Sequence, residues 1–483
     1  MDTVSPASAR SDTHGVGAAP DDRVTPHEAG SGEKARVVIV GGGFGGIAAA
    51  RALRRADADI VLIDRRNHHI FQPLLYQVAT AVLSPADIAA PIRELARRQT
   101  NLSVILAEVQ DINIESHCLT ANCDGLGRRN VTFDYLILAP GMQPSYFGHD
   151  EFAAHAPGLK TIADGELIRA KILGAYERAE LSSDPAERAR LLTFVLVGAG
   201  PTGVELAASI AQMATVTLRS NFRNIDPAST VIVLIDGAPR ILPSFAESLS
   251  DRAARHLERL GVEIRTNAKV DKVDEHGVII AGKRLESATV LWTAGVAPAP
   301  VLKLLDAERD RAGRLCVGSS LSLPGHDRVF VVGDAAAVVQ NGRPLPGVAQ
   351  VAIQEGRFAG QVVARMIKGR APKRPFRYFD KGNMAVVGKN FAILETRRMR
   401  LSGFGTWFIW AFIHVMFLPQ LQNRLRVQRQ WLWSYLTGQR SSRLIPESST
   451  VARTAAVLVK AVAAPDPDVN RRLMGTPPGT ALP

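Results

Sequence analysis

Two stretches of the chain carry the same glycine pattern, G-x-G-x-x-G: Gly41-Gly42-Gly43-Phe44-Gly45-Gly46 and Gly198-Ala199-Gly200-Pro201-Thr202-Gly203. Each follows a short apolar run, and each precedes a second apolar run that ends in an acid, Asp64 and Asp236. These residue types at this spacing suit the pyrophosphate of a nucleotide. Glycine lets the backbone approach the phosphates, and the next helix offers free N–H groups and the positive end of its dipole. The carboxylate accepts hydrogen bonds from a ribose diol. A single fingerprint is weak, because glycine turns before helices are common. Two, each between a strand and a helix and each with its acid, point to two dinucleotide sites. The acid falls 18 residues past Gly46 but 33 past Gly203, which implies a short insertion around residues 220–226.

The positioning elements follow from the apolar runs. Residues 37–40 and 194–197 are continuously apolar, as suits strands buried on both faces of a parallel sheet. Residues 47–53 and 204–208 read as helices, and 60–63 and 231–235 as second strands. Two further strands end in small-residue turns, residues 135–138 before Ala139-Pro140-Gly141 and 329–332 before Gly333-Asp334. The alternation predicts an α/β fold with two Rossmann-like domains, and the family resemblance carried by the motifs below implies that the second is inserted in the first. The expected bounds are 36–155 with 295–385 for the outer domain and 156–294 for the inserted one. A leader (1–35) and a tail (446–483) read as disordered and flexible, and the leader lacks the pattern of a signal peptide.

Charge is unevenly placed. The 483 residues carry a formal net charge of +12, yet residues 361–445 alone hold sixteen Lys/Arg against Asp380 and Glu395. Such a basic concentration implies a polyanion, nucleic acid or an acidic membrane. No helix-turn-helix, zinc-finger or RNP-like motif is present, and the aromatics cluster in apolar runs, so nucleic acid is not expected. Residues 407–418 are apolar except for His414. Twelve helical residues reach about 18 Å, short of a hydrocarbon core of about 30 Å. Pro419 ends this helix, and a second places Leu421, Leu425, Leu432 and Leu436 on one stripe. Residues 386–445 are therefore expected to form an amphipathic membrane-binding region, with 404–436 on an anionic surface. The alternative is that these helices cover the protein's own core or a dimer interface.

The three cysteines, Cys118, Cys123 and Cys316, form no CxxC, and no Cys/His cluster has zinc spacing, so no metal site is expected. A reducing compartment fits best.

With Gly333-Asp334 returning late in the chain, the sequence resembles the two-dinucleotide flavoprotein reductases. That resemblance implies FAD at Gly41, Gly43, Phe44, Gly46, Asp64, Gly333 and Asp334, and a pyridine nucleotide at Gly198, Gly200, Gly203 and Asp236. Read alone, Gly333-Asp334 is also a plausible helix cap. A carboxylate at Asp236 favours a free 2′-hydroxyl, so NADH is expected over NADPH; Arg240 nearby is the residue that would serve a 2′-phosphate instead. The disulfide reductases carry C-x-x-x-x-C soon after the first acid. Here that neighbourhood is Phe71-Gln72-Pro73-Leu74-Leu75-Tyr76-Gln77-Val78-Ala79-Thr80, without cysteine, and Cys118 and Cys123 come about fifty residues too late.

That segment, together with Trp292-Thr293-Ala294-Gly295-Val296, Ala349-Gln350-Val351-Ala352-Ile353-Gln354 and Asp380-Lys381-Gly382-Asn383-Met384-Ala385, resembles the type II, non-proton-pumping NADH:quinone dehydrogenases. The resemblance spans roughly residues 36–436. It implies that Gln350 and Gln354 line a quinone site with Lys381 near it. It also implies that Glu205 lies near the flavin and nicotinamide in the hydride or proton-transfer geometry. It further implies a peripheral enzyme on the cytoplasmic face of the inner or plasma membrane, and a homodimer. Plainer readings stand beside these. Glu205 suits a first helical turn by its charge, Gln350 and Gln354 suit one polar helix face, and Lys381 suits a basic surface. Three rival functions also stay open: a sulfide:quinone oxidoreductase, a soluble NADH oxidase, and an NADH-sensing flavoprotein without turnover.

Overall fold

The computed structural model describes residues 34–371 and 374–445. Most of the expected leader and all of the expected tail lie outside them. The apolar runs form the centres of two parallel sheets. The first has six strands in the order Ser322–Leu323, His326–Val331, Tyr135–Leu138, Ala35–Val40, Ala58–Asp64 and Leu102–Leu106, parallel except for the first. Val37, Val38 and Ile39 are wholly buried, because helices cover one face and a sheet the other. The covering sheet is Glu108–Asn113, Cys118–Cys123 and Gly127–Thr132, whose Ile112, Leu119 and Ala121 pack against Val38 and Leu136.

Helix Phe44–Ala52 and helix Ala349–Met366 lie together on the other face. Small residues permit the close approach: a Cβ on Gly360 would come within 2.7 Å of the Ala49 carbonyl, and one on Gly356 would overlap the carbonyl of Gly45. The helix that carries Gln350 is thus held directly on the first fingerprint helix.

The chain leaves this unit through Met142–Pro144 and returns through Val296–Pro298, and these two strands pair antiparallel. Between them lies the second sheet, ordered Val262–Arg265, Val231–Ile235, Thr193–Val197 and Thr289–Trp292, all parallel. After helix Ala349–Met366 an antiparallel sheet, Asn383–Val386, Ala392–Glu395 and Arg400–Gly403, leads into helices Phe404–Phe417 and Leu421–Thr437.

Those two helices present two kinds of face. Trp410, Val415, Asn423 and Val427 are buried against the body, and Asn423 Nδ2 donates to the carbonyls of Ala86 and Asp87 at 2.9 and 3.0 Å. On the opposite side Phe408, Phe412, Leu432 and Leu436 are 60%, 66%, 61% and 73% exposed. One face of the pair thus covers the protein's own core, as one of the two sequence readings expects, and the other face is bare. Among the described residues no helix is long and apolar enough to cross a membrane.

Candidate functional site

The two glycine turns have the same local construction. Gly41 and Gly198 take φ +104° and +108°, a region that favours glycine. A Cβ on Gly46 would overlap the Gly41 carbonyl, and one on Gly203 that of Gly198, so both third glycines are required by packing. The middle glycines differ. A Cβ on Gly43 or Gly200 would meet no protein atom within 4 Å. Nothing in the protein requires glycine there, and the bare backbone is what a pyrophosphate needs for close approach.

The acids are matched too. Asp64 accepts the backbone N–H of Gly42 at 2.6 Å and of Arg66 at 2.7 Å. Asp236 accepts those of Ala199 at 2.5 Å and Ala238 at 2.7 Å. Each carboxylate thus steadies its own glycine turn and keeps lone pairs for a ribose. Arg240 is turned aside: its guanidinium donates to the carbonyls of Phe245 and Pro243 at 2.7 and 3.2 Å.

A cleft of about 1230 Å³ begins at the first turn, along Gly41 to Gly45 and Asp64. Phe44 lines it, packed edge-on against His69 and Phe71. Arg66 Nε and His68 Nε2 are buried without a hydrogen-bond partner, on two residues of the same wall. The unsatisfied Arg66 Nε–H beside bare backbone fits an anionic dinucleotide. Farther along, the cleft passes Gly333 and Asp334, then Pro201, Thr202 and Glu205 at the start of the second fingerprint helix. It ends among Gln350, Lys381, Ile413, His414 and Phe417. Gly198, Gly200, Gly203 and Asp236 lie outside this lining, so the second turn adjoins the cleft only through its helix.

Burial shapes the acids here. It pushes the Glu205 carboxyl up to about 8, against the pull of the Val386 backbone. Burial also raises Asp334, with Lys160 and Arg314 opposing. Glu355, 1% exposed, accepts the Gly333 N–H at 2.6 Å. Burial drives it up to about 8, with the Gly333 N–H and Arg314 pulling down and Asp334 adding to the rise.

At the far end, Gln350 Nε2 donates to the Gly382 carbonyl at 2.9 Å. Gln354 makes two bonds with one residue: its Nε2 donates to the Phe379 carbonyl at 3.0 Å, and its Oε1 accepts the Phe379 N–H at 3.0 Å. Gln350 lines the cleft, whereas Gln354 is off the lining and holds the irregular segment before strand Asn383–Val386. Lys381 is exposed at the mouth, its Nζ 5.9 Å from the Phe417 ring centroid.

A model of the family described as pyridine nucleotide-disulphide oxidoreductase matches residues 35–356. Two proteins of Mycobacterium tuberculosis named type II NADH:quinone oxidoreductase are each 44% identical to the chain, covering 89% and 87% of it and 93% and 92% of their own lengths. The chain belongs to the type II NADH:quinone oxidoreductases. It shares its fold with an NDH2 of Plasmodium falciparum solved with NADH, at TM-score 0.78 and 21% identity over 85% of this chain and 99% of that one. The sulfide:quinone oxidoreductase of Aquifex aeolicus also superposes, at TM-score 0.61 and 18% identity over 88% and 96%.

For an oxidoreductase of this family the cysteines are badly placed for redox work. Cys118 and Cys123 mark the two ends of one strand, about 16 Å apart at strand rise, far beyond disulfide reach. Neither they nor Cys316 lines the cleft.

Sequence reasoning missed three residues. Glu355 follows Gln354 on the face that buries Val351, Ala352, Ala359 and Val362, and a carboxyl inside that apolar stripe was the available signal. Lys160 lines the cleft and faces Asp334, and burial lowers its ammonium. His414 stands out in the sequence only as the exception in an apolar run. It does pack, with Nδ1 2.8 Å from the Trp410 carbonyl, yet it also lines the cleft, and burial pushes it down to about 4, so it is neutral.

Proposed function

We propose that this chain holds FAD along Gly41, Gly43, Phe44, Gly46, Asp64, Gly333 and Asp334, takes hydride from NADH, and delivers two electrons to a membrane quinone without pumping protons. One observation carries the reading. A single cleft touches the first glycine turn, the Gly-Asp turn, the start of the second fingerprint helix and the helix with the exposed apolar face. Donor, cofactor and acceptor would therefore meet in one continuous space.

The chemistry FAD supplies when bound is acceptance of hydride and return of two electrons. The chain's own residues do the rest. In this reading residues 36–155 and 295–385 form the FAD domain and 156–294 the NADH domain. Gly200 leaves the backbone open to the NADH pyrophosphate. Asp236 accepts the ribose hydroxyls, and Arg240 is bonded to the carbonyls of Phe245 and Pro243 instead of being offered to a 2′-phosphate, which supports NADH over NADPH.

Quinone reduction takes up two electrons and two protons, and hydride carries two electrons with one proton. One proton must come from elsewhere. Glu205, protonated at neutral pH, stands in the cleft as its carrier. Gln350 lines the quinone end. Gln354 acts there indirectly, by holding Phe379, and Lys381 adds a positive charge at the mouth.

The quinone stays in lipid, so the protein must meet it there. The bare face of residues 404–436 offers Phe408, Phe412, Leu432 and Leu436, each contributing about 1.5–3 kcal/mol on burial. Basic residues add about 1 kcal/mol each near an anionic leaflet. Together they support peripheral attachment, on the cytoplasmic side if the enzyme is to reach cellular NADH. The test is steady-state NADH oxidation by the lipid-reconstituted protein. Quinone-dependent loss of NADH over many turnovers supports the reading, and a single turnover or none refutes it.

A further inference from the structure

Glu355 is off the lining of the cleft, yet it is bonded to a turn that lines it. Helix Ala349–Met366 buries Val351, Ala352, Ala359 and Val362, and Glu355 is buried on the same face. A carboxyl costs free energy there unless it is hydrogen-bonded, and a leucine would pack without that cost. The bond it makes is short: Oε2 accepts the Gly333 N–H at 2.6 Å. Gly333 lies close to the helix, since a Cβ on it would come within 3.2 Å of the Ala352 side chain.

The residue after Gly333 is Asp334, which lines the cleft. Its carboxylate lies against Gly347, where a Cβ would come within 3.3 Å of Asp334 Oδ1. The direction of that side chain follows from the backbone that Glu355 holds. Gly356, the next residue of the helix, meets the other half of the site, because a Cβ there would overlap the Gly45 carbonyl. Glu355 therefore stands where the Gly-Asp turn and the first fingerprint helix are joined.

The charged groups facing it are Asp334 on the turn and Arg314 just before strand Leu315–Cys316, and Lys160 faces Asp334 in turn. Helix Phe44–Ala52 brings Gly45 to this place, with its one charged residue, Arg51, in its last turn.

We propose that Glu355 is a positioning residue for FAD: by holding the Gly333 N–H it fixes the Gly-Asp turn, and its charge sets how firmly that turn keeps an anionic dinucleotide. The inference rests on the reading that FAD lies along this turn. Neutral Glu355 accepts the N–H without adding charge, and burial, which raises it to about 8, keeps it neutral at neutral pH. Ionised Glu355 puts a second carboxylate beside Asp334 and repels the pyrophosphate.

The full-length holoprotein in lipid tests this by its rate of FAD release, read as the rise of free-flavin fluorescence on dilution. At about pH 6.5, Glu355→Leu, which leaves the Gly333 N–H without its acceptor, should release FAD roughly tenfold faster than the parent, and Glu355→Gln, which keeps an acceptor, should stay within about twofold. Between about pH 6.5 and about pH 9 the parent's release should quicken roughly three- to tenfold more than that of Glu355→Gln, which has no proton to lose. Glu355→Leu releasing no faster than the parent, or Glu355→Gln releasing as fast as Glu355→Leu, overturns the proposal. So do parallel pH responses of the parent and Glu355→Gln, and this comparison decides alone if Glu355→Leu does not fold. A parent that carries no flavin refutes the FAD reading and this inference with it, whereas a flavin-bearing parent that fails these comparisons refutes the inference alone.

Discussion

Gln350 donates its side-chain amide to the carbonyl of Gly382 at 2.9 Å, and that bond joins the helix on the first fingerprint to the segment bearing Lys381. Four residues on, Gln354 holds Phe379 by two bonds. The paired glutamines therefore shape this end of the cleft, where the proposed function puts the quinone, by fixing residues 379–382. Replacing Gln350 with Leu leaves the Gly382 carbonyl without this partner. We expect roughly a tenfold loss in kcat/KM for quinone, with NADH oxidation by a small soluble acceptor little changed. Gln354→Leu should do the same through the backbone, although its side chain is off the lining. Equal losses with both acceptors would place the defect at the NADH side instead.

Asp236 makes a different prediction. It anchors the amides of Ala199 and Ala238, and in the proposed function it accepts the ribose of NADH. Asp236→Ala should cost roughly ten- to hundredfold in kcat/KM for NADH, mostly as KM. The loss with NADPH should be smaller, because the repelling carboxylate is gone. The ratio of the two kcat/KM values is the measurement, and an unchanged ratio removes Asp236 from cofactor choice.

Glu205 and Glu355, both raised to about 8, carry a stability signature. Between their unfolded value, near 4.3, and about 8, the native state keeps a proton that the unfolded chain has released. Stability therefore falls as pH rises through that window, the reverse of a salt-bridged acid. Glu355→Gln keeps an acceptor for the Gly333 N–H and has no proton to lose. Its melting temperature should exceed the parent's at pH 8 by roughly 2–4 °C and match it near pH 4. Thermal scans at the two pH values check this, and an equal difference at both would deny the linkage.

The exposed face of residues 404–436 can be tested without chemistry. Phe408→Glu with Phe412→Glu removes two large apolar groups that are 60% and 66% exposed and adds two like charges. We expect at least a hundredfold fall in partition onto anionic vesicles in a flotation assay. Raised salt should weaken the parent's binding only partly, since the apolar contribution is not screened. Full release of the parent by salt would mean that charge alone holds it.

Local features of this protein were legible in its sequence, and distant ones were not. The fingerprints, their acids and the Gly-Asp turn are set by neighbours a few residues away, so spacing reveals them. The amphipathic end was legible for the same reason, since its stripe of leucines repeats at helical spacing. Trp431 meets Gln77 and Arg440 meets Thr80 across more than 350 residues, and no local pattern marks such pairs. Gln354 illustrates a subtler gap. The i, i+4 spacing suits one helix face for both glutamines, yet which of the two faces the cleft depends on where residues 379–382 return. Glu355 is easily passed over because it directly follows Gln354, although it shares helical spacing with the apolar stripe of Val351, Ala352, Ala359 and Val362.

The most direct test of the account is the visible spectrum of the protein purified with lipid, followed during addition of NADH and then of a short-chain quinone. The account predicts flavin absorption that NADH bleaches and quinone restores, with many NADH consumed per protein while quinone lasts. A colourless protein that binds no FAD when supplied with it, or absorption that quinone fails to restore, would contradict it.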